Sequence, residues 1–323
     1  MSQFQLWPIR PRPQPDELLS SWLRRIALAH TPKVHSFCHA VWPGLQIWNR
    51  DIDASAPAVL ATVMAERTGI AAADVEVTTL RPFTGVLFED LRGRTAHTDW
   101  ILPVGIYHRT RRRPGLQWCP MCLSADEEPY YRRRWRLALA STCPRHGVVL
   151  ADRCHDCRRP ASPHRGQDPL CDVCQADRRE CPVEPADSQA LQFEHRLAEL
   201  LSADARAWTQ LEALHPLSFF GVVRQVMTVV GAGERSQGLR DEIARHWGGD
   251  PAPPSEKQLE FMVTADRHRI SALSARLMRG WPWLFVAHCA DAGVWKSWAF
   301  GERRYGRSPF AYADPVIRFL TAA

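Results

Sequence analysis

The chain has 323 residues, 45% hydrophobic and 24% charged, with a formal net charge of +6 and a pI near 8.9. That composition excludes a disordered or fibrous chain, and at ~100–200 residues per domain the length predicts two or three domains. The mild positive balance permits nucleic acid as a partner without demanding it.

Residues 1–15 are Pro-rich, with Pro8, Pro11, Pro13 and Pro15, and read as an extended arm. Met1 to Gln14 has no apolar core, so no export signal is expected. A first helix is expected from Asp16 to His30. Leu19, Leu23, Ile26 and Ala27, joined by Trp22, would line one face, with Ser20, Arg24 and Arg25 opposite. Thr31-Pro32 ends it. A second is expected from Lys33 to Trp42, with Val34, Phe37, Cys38, Val41 and Trp42 at helical spacing and Pro43-Gly44 as its stop. A third follows Ser55-Ala56-Pro57, with Ser55 as N-cap, an apolar face of Val59, Leu60, Val63 and Met64, and Gly69 as its end. Residues 71–80 would add a short helix, making a helix-turn-helix with Gly69 in the turn. Its second helix carries Asp74 and Glu76 and no Arg before Arg81, a poor set for reading base edges.

Only Lys33, Lys257 and Lys296 are lysines, and the other basic residues are arginines. Arginine grips phosphate bidentately and stacks on aromatics, although GC-rich codon usage gives the same bias. Arg109, Arg111, Arg112 and Arg113 form a candidate phosphate-binding run, with a solvated loop as its rival reading. Farther on lies Tyr130-Tyr131-Arg132-Arg133-Arg134-Trp135-Arg136. As a helix over 130–140 it would align Tyr131, Trp135 and Leu139 beside a stripe of Arg132 and Arg136. Arg132 and Arg133 are candidate nucleic-acid contacts; aromatics packed on a metal module with solvated arginines is the rival.

The strongest pattern is four ligand pairs between residues 116 and 182: Cys119-x2-Cys122, Cys143-x2-His146, Cys154-x2-Cys157 and Cys171-x2-Cys174. With no export signal, the cysteines are expected in a reducing compartment, where metal binding is favoured over disulfides. A Cys-x2-Cys knuckle supplies two ligands from one tight turn and two knuckles close a tetrahedron, so four pairs imply two structural Zn2+ ions. Sequential pairing joins Cys119, Cys122, Cys143 and His146 on one ion and Cys154, Cys157, Cys171 and Cys174 on the other; a cross-braced pairing is the alternative. His155 and His164 are substitute ligands for a second site that four cysteines already fill. Of the remaining cysteines, Cys38 reads as core, Cys181 as a spare ligand, and Cys289 has no assigned role.

Beyond Val183-Glu184-Pro185 the chain reads helical over 188–214, 216–230, 237–247 and 255–279, broken at Gly248 to Pro254. The apolar run Trp281 to Trp295 is interrupted by His288 and Asp291, and no stretch reaches the ~20 apolar residues of a membrane span. The expectation is a cytoplasmic, mainly α protein. It divides into an N-terminal arm and helix-turn-helix-like domain (1–115), a double zinc module (116–182) and a C-terminal helical domain (183–323). A last aromatic–basic run joins Trp295, Lys296, Trp298, Phe300, Arg303, Arg304, Tyr305 and Arg307. Such interleaving stacks on bases or on a protein partner, or packs as an ordered loop.

Several of these segments together resemble the TniQ family. They are Trp118-Cys119-Pro120-Met121-Cys122, Tyr130 to Ala138, Cys143-Pro144-Arg145-His146-Gly147 and Cys154-His155-Asp156-Cys157. The opening Pro13-Gln14-Pro15-Asp16-Glu17-Leu18-Leu19-Ser20-Ser21-Trp22-Leu23 is similar to the family's P-x-P-x-E-x-x-x-S-W-L start, and Trp48 to Asp53 has the family's look. The basic run at Arg109 to Arg113 departs from the usual pattern. The resemblance implies a non-catalytic target-selection adapter of DNA transposition. Such a protein links a target-recognition element, either a Cascade-type CRISPR effector or a DNA site, to an AAA+ ATPase regulator of the TnsC or TniB kind. In Cascade-linked systems the family also implies a homodimer. No HExxH, Walker A, GxSxG or deaminase-type HxE/PCxxC motif is present. A stand-alone zinc-containing DNA-binding regulator and a nuclease or transposase subunit are the competing functions.

Overall fold

The structure, a computed structural model, describes residues 6–91, 97–162, 164–165, 169–202 and 215–294. The aromatic–basic run from Trp295 to Arg307 and the end of the expected 188–214 helix lie outside these residues. Mainly helical architecture is what the structure shows: eleven α-helices and two short antiparallel hairpins among the described residues. The chain forms two compact units, one within Met1–Thr84, Asp90–Ala140 and Leu150–Glu184, the other within Gly85–Glu89, Ser141–Val149 and Pro185–Ala323.

The first unit is built on α1, Leu19–His30. This helix starts three residues later than expected, because Asp16 takes a left-handed φ of 59° and the Glu17 carboxylate accepts the Gln14 N–H at 2.8 Å, closing a turn ahead of it. Its supposed polar face is also buried. Ser20 donates through N–H and hydroxyl to Asp53 (2.8 and 2.9 Å), and Arg25 pairs with Glu17 at 2.8 Å and Glu128 at 2.7 Å. Most buried polar groups are so partnered. Helices α2 (Val34–Val41), α3 (Ile52–Ser55), α4 (Ala58–Thr68) and α5 (Ala72–Val77) complete the bundle. Trp22, Phe37, Trp42, Trp48, Leu60, Met64 and Val75 fill its core, each large apolar side chain contributing about 1.5–3 kcal/mol.

Gly69 stops α4 with φ 74°, as its lack of Cβ allows. Ser55 is not the cap of α4. It is the last residue of α3, its hydroxyl bonds the Asp51 carbonyl at 2.9 Å, and Pro57 stands at the N-cap. Strands β1 (Ile106–Tyr107) and β2 (Thr110–Arg111) make a two-residue hairpin, and α6 is Pro120–Ala125. Residues 130–140 are not an α-helix: one 3-10 turn, Arg133–Arg136, sits in extended backbone. The Gln117 amide pins this segment by donating to the Ala140 carbonyl at 2.9 Å and the Trp135 carbonyl at 3.3 Å.

In the second unit, β3 (Thr142–Cys143) and β4 (Val148–Val149) form a hairpin, followed by α7 (Ser188–Ser202), α8 (Pro216–Val230), α9 (Gln237–Trp247), α10 (Thr264–Met278) and α11 (Trp283–Asp291). Helix α10 is the hub, buried from Ile270 to Leu277 and packed against α7, α8, α9 and α11. It begins at Thr264 rather than 255, because Ser255 donates its N–H and hydroxyl to Asp266 (2.8 and 2.6 Å), folding the preceding loop back. No single helix among the described residues is long and apolar enough to cross a membrane.

Candidate metal centres and a cationic cavity

Three of the four ligand pairs share one backbone device. After the pairs ending at His146, Cys157 and Cys174, the next residues, Gly147, Arg158 and Gln175, take left-handed φ values of 63°, 60° and 63°. Each donates its N–H to the carbonyl of the pair's first cysteine, at 2.8, 3.1 and 3.1 Å. The turn aims both ligand side chains to the same side. For Arg158 and Gln175 this conformation costs roughly 1 kcal/mol apiece. The pair Cys119/Cys122 instead runs into α6, with the Cys122 N–H donating to the Cys119 sulfur at 3.4 Å.

Cys154, Cys157, Cys171 and Cys174 bring their sulfurs within 4.8 Å of one another, and so do the ligand atoms of Cys119, Cys122, Cys143 and His146. The grouping is the sequential one. Cys154 Sγ lies 3.5 Å from Cys174 Sγ, and Cys157 Sγ 3.6 Å from Cys171 Sγ. A disulfide needs ~2.05 Å, whereas a tetrahedron with ~2.3 Å metal–sulfur bonds has edges of about 3.8 Å. Cys143 Sγ to His146 Nδ1 is 3.6 Å, close to the roughly 3.6 Å edge of a mixed sulfur–nitrogen tetrahedron. Both quartets can therefore hold a metal ion, and their soft donors suit zinc. Burial pushes the Cys157 thiol up to about 12, while the Ala176 N–H pulls Cys174 down to about 7. Cys181, His155 and His164 lie outside both quartets.

Glu194, which no sequence pattern singles out, positions Cys143. From α7 its carboxylate accepts the N–H of Ser141 and Thr142, both at 2.8 Å, and both hydroxyls, at 2.5 and 2.8 Å. This clamps the strand directly ahead of Cys143. No motif marks a contact spanning 53 positions.

The six arginines expected to meet nucleic acid separate into two groups. Arg111 is buried beside Asp51 and Asp53, its charge disfavoured by burial. Arg132 makes a bidentate pair with Asp126 (3.1 and 2.7 Å) and lies 4.2 Å over the Tyr130 ring. Arg133 pairs with Asp16 at 2.9 Å. Arg109, Arg112 and Arg113 are exposed or half-exposed. Arg136 is the centre of a charge cluster: fully buried, it bonds Asp51 at 3.0 and 2.5 Å, Asp53 at 3.0 Å and the Leu102 carbonyl at 3.0 Å. Burial acts to raise both acids; at Asp51 the charge and hydrogen bonds of Arg136, with Arg111 and the Asp53 N–H, together outweigh it and hold the carboxyl below its usual range, whereas Asp53 stays above.

Arg109 sits with His108 at the tip of the β1–β2 hairpin, both in left-handed backbone (φ 64° and 44°) that the two-residue turn requires and glycine would adopt more cheaply. The tip borders a cavity of about 670 Å³ lined also by Lys33, His35, His164 and Arg165, with no acidic residue in its lining among the described residues. His164 stacks on Trp48 at 4.7 Å and meets the Arg109 carbonyl through Nε2 at 2.9 Å. Burial drives its pKa down to about 3, so the ring is neutral and Nε2 carries the donated proton. Burial, with Arg109 and Arg165, also lowers His35.

Against known proteins, the TniQ family model matches residues 8–150, a span holding α1 to α6, β1 to β4 and the first ligand quartet. No curated protein matches the chain.

Proposed function

We propose, from the premise that residues 8–150 belong to the TniQ family, that this chain is a non-catalytic target-selection adapter of DNA transposition, organised around two structural zinc ions. The family match is the observation that carries the reading. The adapter joins a target-recognition element, a Cascade-type effector or a DNA site, to an AAA+ regulator of the TnsC or TniB kind. One zinc is held by Cys119, Cys122, Cys143 and His146, the other by Cys154, Cys157, Cys171 and Cys174. Four protein ligands per ion leave no open position for a reacting water, which supports a structural role. Each ion would supply folding energy, about 10–16 kcal/mol of apparent binding, and no chemistry. Arg109, Arg112 and Arg113 are the proposed phosphate contacts, supported by their exposure and by the basic residues Lys33 and Arg165 that line the cavity with Arg109; Arg111, Arg132 and Arg133 serve instead in internal ion pairs and charge clusters.

The test is capture by the full chain of its genomically neighbouring AAA+ ATPase and any adjacent effector complex, with and without DNA. Retention of the ATPase is expected. Retention of DNA with neither protein would favour a stand-alone DNA-binding regulator and overturn the adapter.

A further inference from the structure

We propose that Glu242, His246 and His288 form a third metal site, chemically unlike the cysteine quartets and taking a divalent ion of the zinc class. Glu242 and His246 lie four positions apart on α9, which puts both side chains on one face of that helix. His288 comes from α11, which packs against α9. One ligand atom from each of the three lies within 4.8 Å of the others. Glu242 Oε1 is 3.0 Å from His246 Nδ1 and 3.8 Å from His288 Nδ1. Nitrogen and oxygen ligands bonded at ~2.0–2.2 Å around a tetrahedral ion stand roughly 3.4 Å apart, so the observed separations bracket the required edge.

Two further observations point to an ion. His288 is only 7% exposed, and its Nδ1 is buried with no hydrogen-bond partner. An unsatisfied buried acceptor or donor costs about 1–3 kcal/mol, and a metal–nitrogen bond removes that cost. The second oxygen of Glu242 is held by Arg245, which fixes the carboxylate plane and leaves Oε1 for the ion. The Trp247 ring packs edge-on to His288 at 4.5 Å and restrains the imidazole. On the other side the His246 side chain is half-exposed (49%), so the group is reached from solvent and a water can supply the fourth ligand. Two imidazoles, one carboxylate and an open position select zinc, cobalt or nickel over calcium or magnesium.

The sequence carries a natural control. His195 and Glu199 on α7 have the same four-residue spacing and lie 3.5 Å apart, yet no third ligand joins them among the described residues.

The experiment is metal analysis of the full chain after zinc saturation and dialysis. His246→Gln and His288→Gln should each hold one zinc fewer per chain than the parent, and His195→Gln the same number as the parent. The readout is a difference, so it stands whether or not the cysteine quartets fill. His246 is on the surface, so its variant keeps the test sound if His288→Gln fails to fold. Cobalt added after mild chelation should give weak visible bands without thiolate charge transfer, and His246→Gln should lose them. Equal zinc in the parent and in folded His246→Gln, or thiolate charge transfer from that cobalt, would overturn the site.

Discussion

At the scale of single residues, Arg136 shows what a buried charge demands. Two carboxylates and a carbonyl surround its buried guanidinium, so its removal leaves Arg111 alone to balance Asp51 and Asp53. Breaking such a pair costs about 3–5 kcal/mol. Arg136→Ala should lower the unfolding free energy by that amount in denaturant titration, and Arg136→Met with Asp51→Asn, which keeps Arg111 facing Asp53, should recover much of it. His164 makes a pH prediction. Its folded pKa of about 3 lies below the ordinary 6.5, so the unfolded chain binds the extra proton first as pH falls. The stability it contributes is complete above 6.5 and lost as pH drops from 6.5 towards 3. Between pH 7 and pH 5 the parent should lose about 2 kcal/mol more than His164→Gln, read as the difference between two denaturation series.

At the scale of elements, the legible and the illegible parts separate by range. The ligand pairs and the helices α1, α2 and α4 follow local rules of spacing, periodicity and turn residues, and the sequence shows them to within a few positions. Residues 130–136 defeat such rules, because a run of aromatics and arginines fits a helix stripe as well as extended backbone. Only distant partners, Asp16, Asp51, Asp53 and the Gln117 amide, decide between them. The same holds for Glu194, and for His288, whose partners lie 42 and 46 positions earlier by residue number. The hairpin tip is legible as basic, but that Arg111 turns inward while Arg109, Arg112 and Arg113 stay exposed is decided by the carboxylates Asp51 and Asp53. Replacing Arg109, Arg112 and Arg113 by Ala should weaken nucleic-acid binding and reduce its salt slope by up to about 0.9 for each phosphate no longer neutralised, measured by titration at several salt concentrations. Replacing Arg132 should leave the slope unchanged.

At the scale of the whole molecule, stability divides between an apolar core in each unit and the two quartets. Segment 150–184 within the first unit has little apolar filling of its own: Leu150, Pro160, Ala161 and the ligands Cys154 and Cys171 are its buried apolar residues among those described. Chelation with a strong zinc ligand at neutral pH should release two equivalents of zinc from the quartets and lower the thermal midpoint. An unchanged midpoint and metal content would refute the structural role of the ions.

The grip of Glu194 on Ser141 and Thr142 has a kinetic corollary for loading. Those four hydrogen bonds hold the polypeptide just upstream of Cys143 without any help from an ion, so the entropy of ordering that stretch is surrendered during folding rather than at capture. A cation reaching the first quartet then meets one thiol whose backbone is already fixed, and preorganisation of this kind tightens association by trimming what must still be immobilised.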